Sequence, residues 1–250
     1  MTINILVLSD IHGNHPALQA IDAAVRGLEI HYVFNCGDST VYAPFPNEAL
    51  AWLRNHQALS ISGNTDDKIV RLLEGKSFKK PSKPDKRCMY TSTFEQLDQD
   101  AKHDLLALRK QATIELAGWR IGLFHGSPED HEEFLFSNTP GQRFMELAKN
   151  CREHIVLTGH SHSPYYKQIR QNKGSVHFIN PGSAGRMFDG DPRASYAILE
   201  LERPDPKKLQ GLRVQHFRVA YDIERVVAEL EQQNLPAIYS NMYRQGKKLN

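Results

Sequence analysis

Cysteine is scarce in this chain. Its 250 residues hold three, Cys36, Cys88 and Cys151. They are too few and too scattered for a disulfide framework or a thiolate metal cage, so a reduced, cytoplasmic setting is expected. Long apolar runs are missing as well. None approaches the roughly 18 residues that a membrane-spanning helix requires, so no membrane partner is expected. The first residues carry no basic segment, no extended apolar stretch and no small-residue cleavage site, which argues against a signal peptide. Neither sign of charge dominates: 31 Lys and Arg stand against 29 Asp and Glu, for a net +2. That near-balance gives no argument for a nucleic-acid or membrane surface. Internal repeats and a clean domain boundary are also absent. Histidine, by contrast, is plentiful at 12 residues, and position decides which of them matter.

Five short runs are near-continuous in Ile, Val, Leu and Phe: Ile3–Leu8, 31–36, 59–62, Trp119–Phe124 and 154–158. That is the pattern of strands covered on both faces. Asn14 is a good N-cap. With Pro16 in the first turn and Leu18, Ile21, Ala24 and Val25 at helical spacing, it predicts a helix. A second helical pattern covers 47–55, with Ala49, Leu50 and Leu53 on one face. This β-α-β-α-β start predicts an α/β layered fold. The later half is richer in strands, predicted at 113–116, 120–124, 175–179, Ala194–Leu201 and Leu212–Val219; the first two read as a hairpin. Helices are predicted at about 92–110, from Thr139-Pro140 to about Asn150, and at about 222–234. Residues 1–250 read as one domain of two packed sheets, with helices outside and the last helix packing on them. Residues 76–87 hold six basic residues and two prolines, without apolar periodicity. A solvated loop is the simpler reading, and a basic lip for an anionic substrate is the alternative.

Each of the five buried runs ends in a turn that begins with a metal-competent side chain. Leu8 leads into Ser9-Asp10-Ile11-His12-Gly13-Asn14, and Cys36 into Gly37-Asp38. Ser62 leads into Gly63-Asn64-Thr65-Asp66, Phe124 into His125-Gly126-Ser127, and Thr158 into Gly159-His160-Ser161-His162. Alone, Asp-x-His or Gly-Asp is a common turn, Gly-Asn-x-Asp reads most simply as one, and a single His125 reads as structural. His160 and His162 say more, because alternate residues of an extended segment share a face. The ordered set is what chance does not supply. Ligands bind outside the carboxyl ends of strands in open α/β sheets, so five strand ends deliver these groups to one edge. Imidazole, carboxylate and amide without thiolate suit Mn, Fe, Zn, Co or Ni, and not calcium or an iron–sulfur cluster. A carboxylate can bridge two such ions, and two ions can clamp an in-line displacement at phosphorus.

This order of motifs resembles the calcineurin-like metallophosphoesterase superfamily, and within it the compact bacterial and archaeal phosphodiesterase branch. Asn180-Pro181-Gly182-Ser183 and Ala220-Tyr221-Asp222-Ile223 are similar to that branch's segments too. The resemblance runs from Ile3 to about Gly246. It implies a four-layer α/β/β/α sandwich and two divalent transition-metal ions, manganese foremost. It also implies hydrolysis of a phosphate ester by a metal-bridging hydroxide. Asp10, His12 and His162 would hold the first ion, Asp38 would bridge, and Asn64, His125 and His160 would hold the second. Asp38, Asn64 and His125 would be the catalytic set. The implied substrate is a phosphorylated small molecule or nucleotide, a phosphodiester first. Dinucleoside polyphosphates and phosphoproteins are the alternatives, and a non-catalytic metal-binding scaffold is the rival from another class. A homo-oligomer stays open.

One departure stands out. Many members have histidine after the Gly-Asn pair, where it assists the leaving group; Thr65 stands there instead. His15, Asp66 and His131 are the substitutes to consider. Phe134 and Phe136 could stack on a base, although packing of their loop against the core is the simpler role. Arg186 could bind phosphate or anchor its turn. Cys36 reads as a small buried residue.

Overall fold

The structure is a computed structural model and describes residues 2–77, 83–171, 174–202 and 211–250. β1 (Ile3–Leu8) is followed by α1 (His15–Val25), β2 (Tyr32–Asn35), α2 (Pro46–Asn55) and β3 (Leu59–Ser60), and then by α3 (Asn64–Leu73), α4 (Pro84–Gln96) and α5 (Gln99–Ala107). Next come β4 (Gln111–Leu116), β5 (Trp119–Phe124), α6 (Gly141–Asn150), β6 (Ile155–Leu157), β7 (Tyr165–Gln171), β8 (Gly174–Asn180), β9 (Ala194–Leu201) and β10 (Leu212–Val219). α7 (Ile223–Gln232) and α8 (Ile238–Gln245) complete the order.

The strands form two five-stranded sheets, ordered β10-β9-β1-β2-β3 and β4-β5-β6-β8-β7. Within the first, β1, β2 and β3 are parallel; within the second, β5, β6 and β8 are. Parallel neighbours end on the same edge, which is why the turns after β1, β2 and β3 gather together, as do those after β5 and β6.

Strand periodicity distributes the core. Ile5 and Val7 of β1 face the second sheet and meet Ile121, Leu123, Ile155 and Leu157. Leu6 and Leu8 point the other way, onto Leu18 and Ile21 of α1 and Leu53 of α2. Behind the second sheet, Val156 and Phe178 pack under Phe144 and Leu147 of α6. Each such side chain contributes on the order of 1.5–3 kcal/mol of burial. Helix, sheet, sheet and helix therefore make the expected four layers. The fully buried Trp119 keeps its indole N–H satisfied by donating to the Glu202 carbonyl at 2.7 Å.

Four local expectations need correction. The helix predicted at 92–110 is two helices. Leu97 is extended (ψ 124°), and Asp98 caps a new start by accepting from the Ala101 amide. The Gly-Asn-x-Asp segment is not a simple turn: it opens α3, whose N-terminus is closed by Asp66 accepting from the Gly63 amide. The expected helix at 222–234 is α7, but α8 follows it and packs beside it in one cluster with α3, α4 and α5. In the basic stretch, residues 78–82 lie outside the described residues, and Pro84 begins α4 rather than continuing a loop.

Candidate metal centre

Backbone strain concentrates at the strand ends. Asp10, His12, Asp38, His160 and His162 all have positive φ, between 51° and 63°. Ordinary side chains avoid that region, and such residues persist only where the surroundings hold them. The holding is visible. The Asp10 amide donates to the Gly37 carbonyl and the His12 amide to the Asp38 carbonyl, each at 2.9 Å. Asp10 Oδ2 accepts from the His160 amide at 3.0 Å, which ties the first sheet's edge to the second's. Asn180 donates to the Gly159 carbonyl, and Ser183 donates to the Asp10 carbonyl, so the Asn-Pro-Gly-Ser segment braces both loops. Gly63 is required by space: a Cβ there would lie 2.1 Å from Asp38 Oδ1.

Inside this frame, two groups of side chains could each hold a metal ion. One is Asp10, His12, Asp38 and His162; the other is Asp38, His125 and His160. All are buried. The carbonyls of Thr40, Cys36 and Arg186 accept from Nδ1 of His12, His125 and His162 respectively. That fixes the tautomer and leaves each Nε2 as a bare lone pair aimed inward. Those lone pairs face each other and the carboxylates. His12 Nε2 lies 3.3 Å from His162 Nε2, and His162 Nε2 lies 3.3 Å from Asp10 Oδ1. Asp10 Oδ1 and His160 Nε2 are buried without a hydrogen-bond partner. Acceptors packed on acceptors repel unless a cation stands among them, so the residues fit a metal.

Asn64 completes the pattern. Its oxygen faces His125 Nε2 at 3.3 Å. Turned over, the amide would instead donate to Asp38 Oδ2 and accept from Lys68 Nζ at 2.9 Å. The oxygen-inward orientation is the better one only around a cation.

Titration follows burial. Burial first, then other nearby cationic groups, lowers His12 to about 3 and His160 to about 4, and His125 and His162 also move down. The imidazoles are therefore neutral at pH 7. Burial raises the Asp10 carboxyl well above its usual value, and the charge of Asp38 adds to that. Asp38 moves the other way: burial opposes it, but the His125 and His12 rings and the Thr65 amide hold its carboxyl low.

All seven predicted ligands converge, but the proposed proton donors do not. Asp66 is fully buried and accepts from the Ser39, Thr40 and Gly63 amides and the Thr40 hydroxyl; it staples two ligand loops. Neither His15 nor His131 lines the cavity above the site, which measures about 350 Å³. Thr65 does line it. Phe134 is exposed and stacks on His160 with ring centroids 4.1 Å apart, while Leu135 beside it carries the packing. Arg186 answers both readings: its amide donates to Ser183 Oγ, and its side chain lines the cavity. Cys36 is buried, as expected. Lys83 and Lys86, from the basic stretch, also line the cavity, which favours the lip over the loop. Lys68 and Lys248 escaped the sequence reading. Lys68 sits one helical turn after Asn64, a spacing visible only once α3 is recognised. Lys248, near the chain end, carries no local signal.

Residues 3–204 match the family model for the calcineurin-like phosphoesterase superfamily domain, and the chain belongs to that superfamily. Membership makes it a metallophosphoesterase, a phosphoric ester hydrolase that uses divalent metal ions. An uncharacterized protein of Methanocaldococcus jannaschii is 26% identical over 245 residues, covering 93% of each chain. The crystal structure of a metallophosphoesterase from Sphaerobacter thermophilus is similar with 25% identity and a TM-score of 0.76, over 98% of this chain and 99% of that one. A hypothetical protein from Pyrococcus horikoshii OT3 shares the fold with a TM-score of 0.81 at 19% identity, over 98% and 99% of the two chains. No helix among the described residues is long and apolar enough to cross a membrane.

Proposed function

We propose that the chain, as one domain, hydrolyses phosphate esters at a dinuclear centre, with phosphodiesters as the first substrate class. Asp10, His12 and His162 hold one ion, and Asn64, His125 and His160 the other. The observation that carries this reading is the position of Asp38 in both metal-competent groups. Its Oδ2 lies 3.7 Å from His12 Nε2 and its Oδ1 lies 3.5 Å from His125 Nε2, so one oxygen faces each half of the site. Two divalent ions held there would polarise a phosphoryl group and lower the pKa of a water molecule between them. Asp38 fixes the spacing of the two halves. Asn64 and His125 hold the second half against the cavity floor, and Lys68 sets a positive charge beside it. Fixed charges aimed at a phosphoryl group stabilise the negative charge that builds during displacement.

Manganese is the first metal to test. The complete ligand set speaks against a scaffold without activity. The test is a panel of an aryl phosphodiester, an aryl monoester, a dinucleoside tetraphosphate, a cyclic nucleotide and a phosphopeptide, each with Mn, Fe, Zn, Co and Ni. The diester is expected to be hydrolysed best, and only with metal. Metal uptake with no hydrolysis of any of the five would favour the scaffold.

A further inference from the structure

The cavity over the metal centre is far more cationic than one phosphate requires. Lys68, Lys83, Lys86, Arg186 and Lys248 line it, and Asp38 is the only carboxylate among the described lining residues. None of these four lysines is ion-paired with a carboxylate among the described residues, whereas Arg54, Arg120, Arg143, Arg193 and Arg244 are. The cluster repels itself. Partial burial, and then the charges of Lys248, Arg186, Lys83 and Lys68, hold the Lys86 amine below its ordinary range. Burial followed by Arg186 and Lys83 does the same to Lys248.

Arg186 is the most telling member. It is 6% exposed and has no carboxylate partner among the described residues. Its guanidinium lies 3.6 Å over the Tyr42 ring, and Nη2 has only the Met242 sulfur and the Asn250 side-chain oxygen. Its Nε is buried with no partner at all. A buried, unsatisfied charged donor costs stability; the Tyr42, Phe188 and Tyr239 rings around the guanidinium offset part of that cost, and no carboxylate among the described residues neutralises its charge. Folding alone does not explain five cations drawn together around one opening; a bound polyanion does.

The metal centre supplies the charge for the scissile phosphate. A phosphate monoester group carries about −1.5 to −2 at pH 7; with Lys68 beside that group, Arg186, Lys83, Lys86 and Lys248 are surplus to it. We infer that Arg186, Lys83, Lys86 and Lys248 form a subsite for a second phosphate group of the substrate, distinct from the one cleaved. The substrate class is thus a small molecule bearing two phosphates, joined either as an anhydride or through separate ester positions. For the first phosphate this rests on the phosphoesterase reading above.

The test uses binding, so that it stands apart from catalysis. Mn-loaded protein is titrated by calorimetry at low salt and low temperature with adenosine 3′,5′-bisphosphate, ADP and AMP, with product analysis to show that each probe stays intact. One or both of the doubly phosphorylated probes is expected to bind about tenfold more tightly than AMP or better. A preference for ADP identifies the anhydride arrangement, and one for the bisphosphate identifies separate esters. K86A/K248A together should shrink the advantage to about twofold, and added salt should narrow it too. K149A, which removes an exposed lysine of α6, should leave it intact. Equal affinity for all three probes, or an advantage that survives K86A/K248A, overturns the subsite. Failure of the metal-loaded wild type to hydrolyse any phosphate ester would overturn the phosphoesterase reading separately.

Discussion

At the scale of single residues, Asp38 and Asp10 make opposite predictions. D38A removes the group shared by the two halves of the site. Turnover of an aryl diester should fall by about three orders of magnitude or more, the scale at which one transition-state charge contact is lost. The variant should still fold, because β2 is built on Val33 and Phe34. A modest loss of stability is expected, since the Thr65 amide now donates to Asp38 Oδ1 at 2.8 Å and would lose its partner. That costs roughly 1–3 kcal/mol. Near-normal turnover in D38A would mean that the site lies elsewhere. For Asp10 the prediction concerns protons. Burial, and then the charge of Asp38, raises the Asp10 carboxyl well above its usual value. Metal binding needs the carboxylate form, so affinity should weaken on acidification from a higher pH than an ordinary carboxylate would dictate, and binding in that range should release acid. Titration of Mn into weakly buffered protein with a pH indicator measures this; uptake without proton release contradicts it. Thr65 adds a third expectation. With no imidazole in the cavity at that position, the rate should fall steeply as the leaving-group pKa rises. A flat plot of log rate against that pKa would reveal a proton donor, and Lys68 would be the first residue to replace.

At the scale of elements, α3 matters most. Its Asp66 bonds to both the loop after β2 and the turn after β3, so it sets the distance between Asp38 and Asn64. D66A should destabilise the protein by about 2–4 kcal/mol, as four buried donors lose one acceptor. It should also lower kcat for the diester. Wild-type melting in D66A would show the staple to be dispensable. The sequence hid this element for a physical reason. Gly63-Asn64-Thr65-Asp66 carries turn residues, and the helix they open shows its apolar face only from Ile69 on, where Ile69, Val70, Leu72 and Leu73 join a cluster built from distant segments. β1, α1, β5 and the turns after them were legible because their patterns are local: near-continuous apolar runs, an Asn cap, a ligand at each end. β7 was not. It is an edge strand that alternates buried and exposed positions, with Tyr166 outside and Tyr165 inside. α8 likewise draws its tyrosines into contacts that only the assembled fold supplies. The ligands could be read and the cavity walls could not, because the walls come from α3, α4, the segment after β8 and the chain end together.

At the scale of the whole molecule, the proposed metal centre would cross-link the two sheets. Five loops from two sheets would supply its ligands, beside direct polar ties at that edge such as Asp10 Oδ2 to the His160 amide, His125 Nδ1 to the Cys36 carbonyl and the Ser183 hydroxyl to the Asp10 carbonyl. Without metal, the fold must hold two carboxylates and four imidazole lone pairs against each other while five residues keep positive φ. Metal removes the repulsion and so binds the native state in preference to the unfolded chain. At a free concentration one hundred times Kd, a single site contributes about 2.7 kcal/mol. For a chain of this size, each kcal/mol moves the melting temperature by about 2–4 °C. Saturating Mn should therefore raise the melting temperature by roughly 5–10 °C per occupied site, and chelator should reverse the shift. D38A should keep part of it, because Asp10, His12 and His162 still form one half-site. H160A should lower it while leaving that half-site whole. Scanning calorimetry with and without Mn decides the matter. Equal melting temperatures in the wild-type protein at saturating metal would mean that the buried acceptors are not held together by a cation, and the centre proposed here would have to be abandoned.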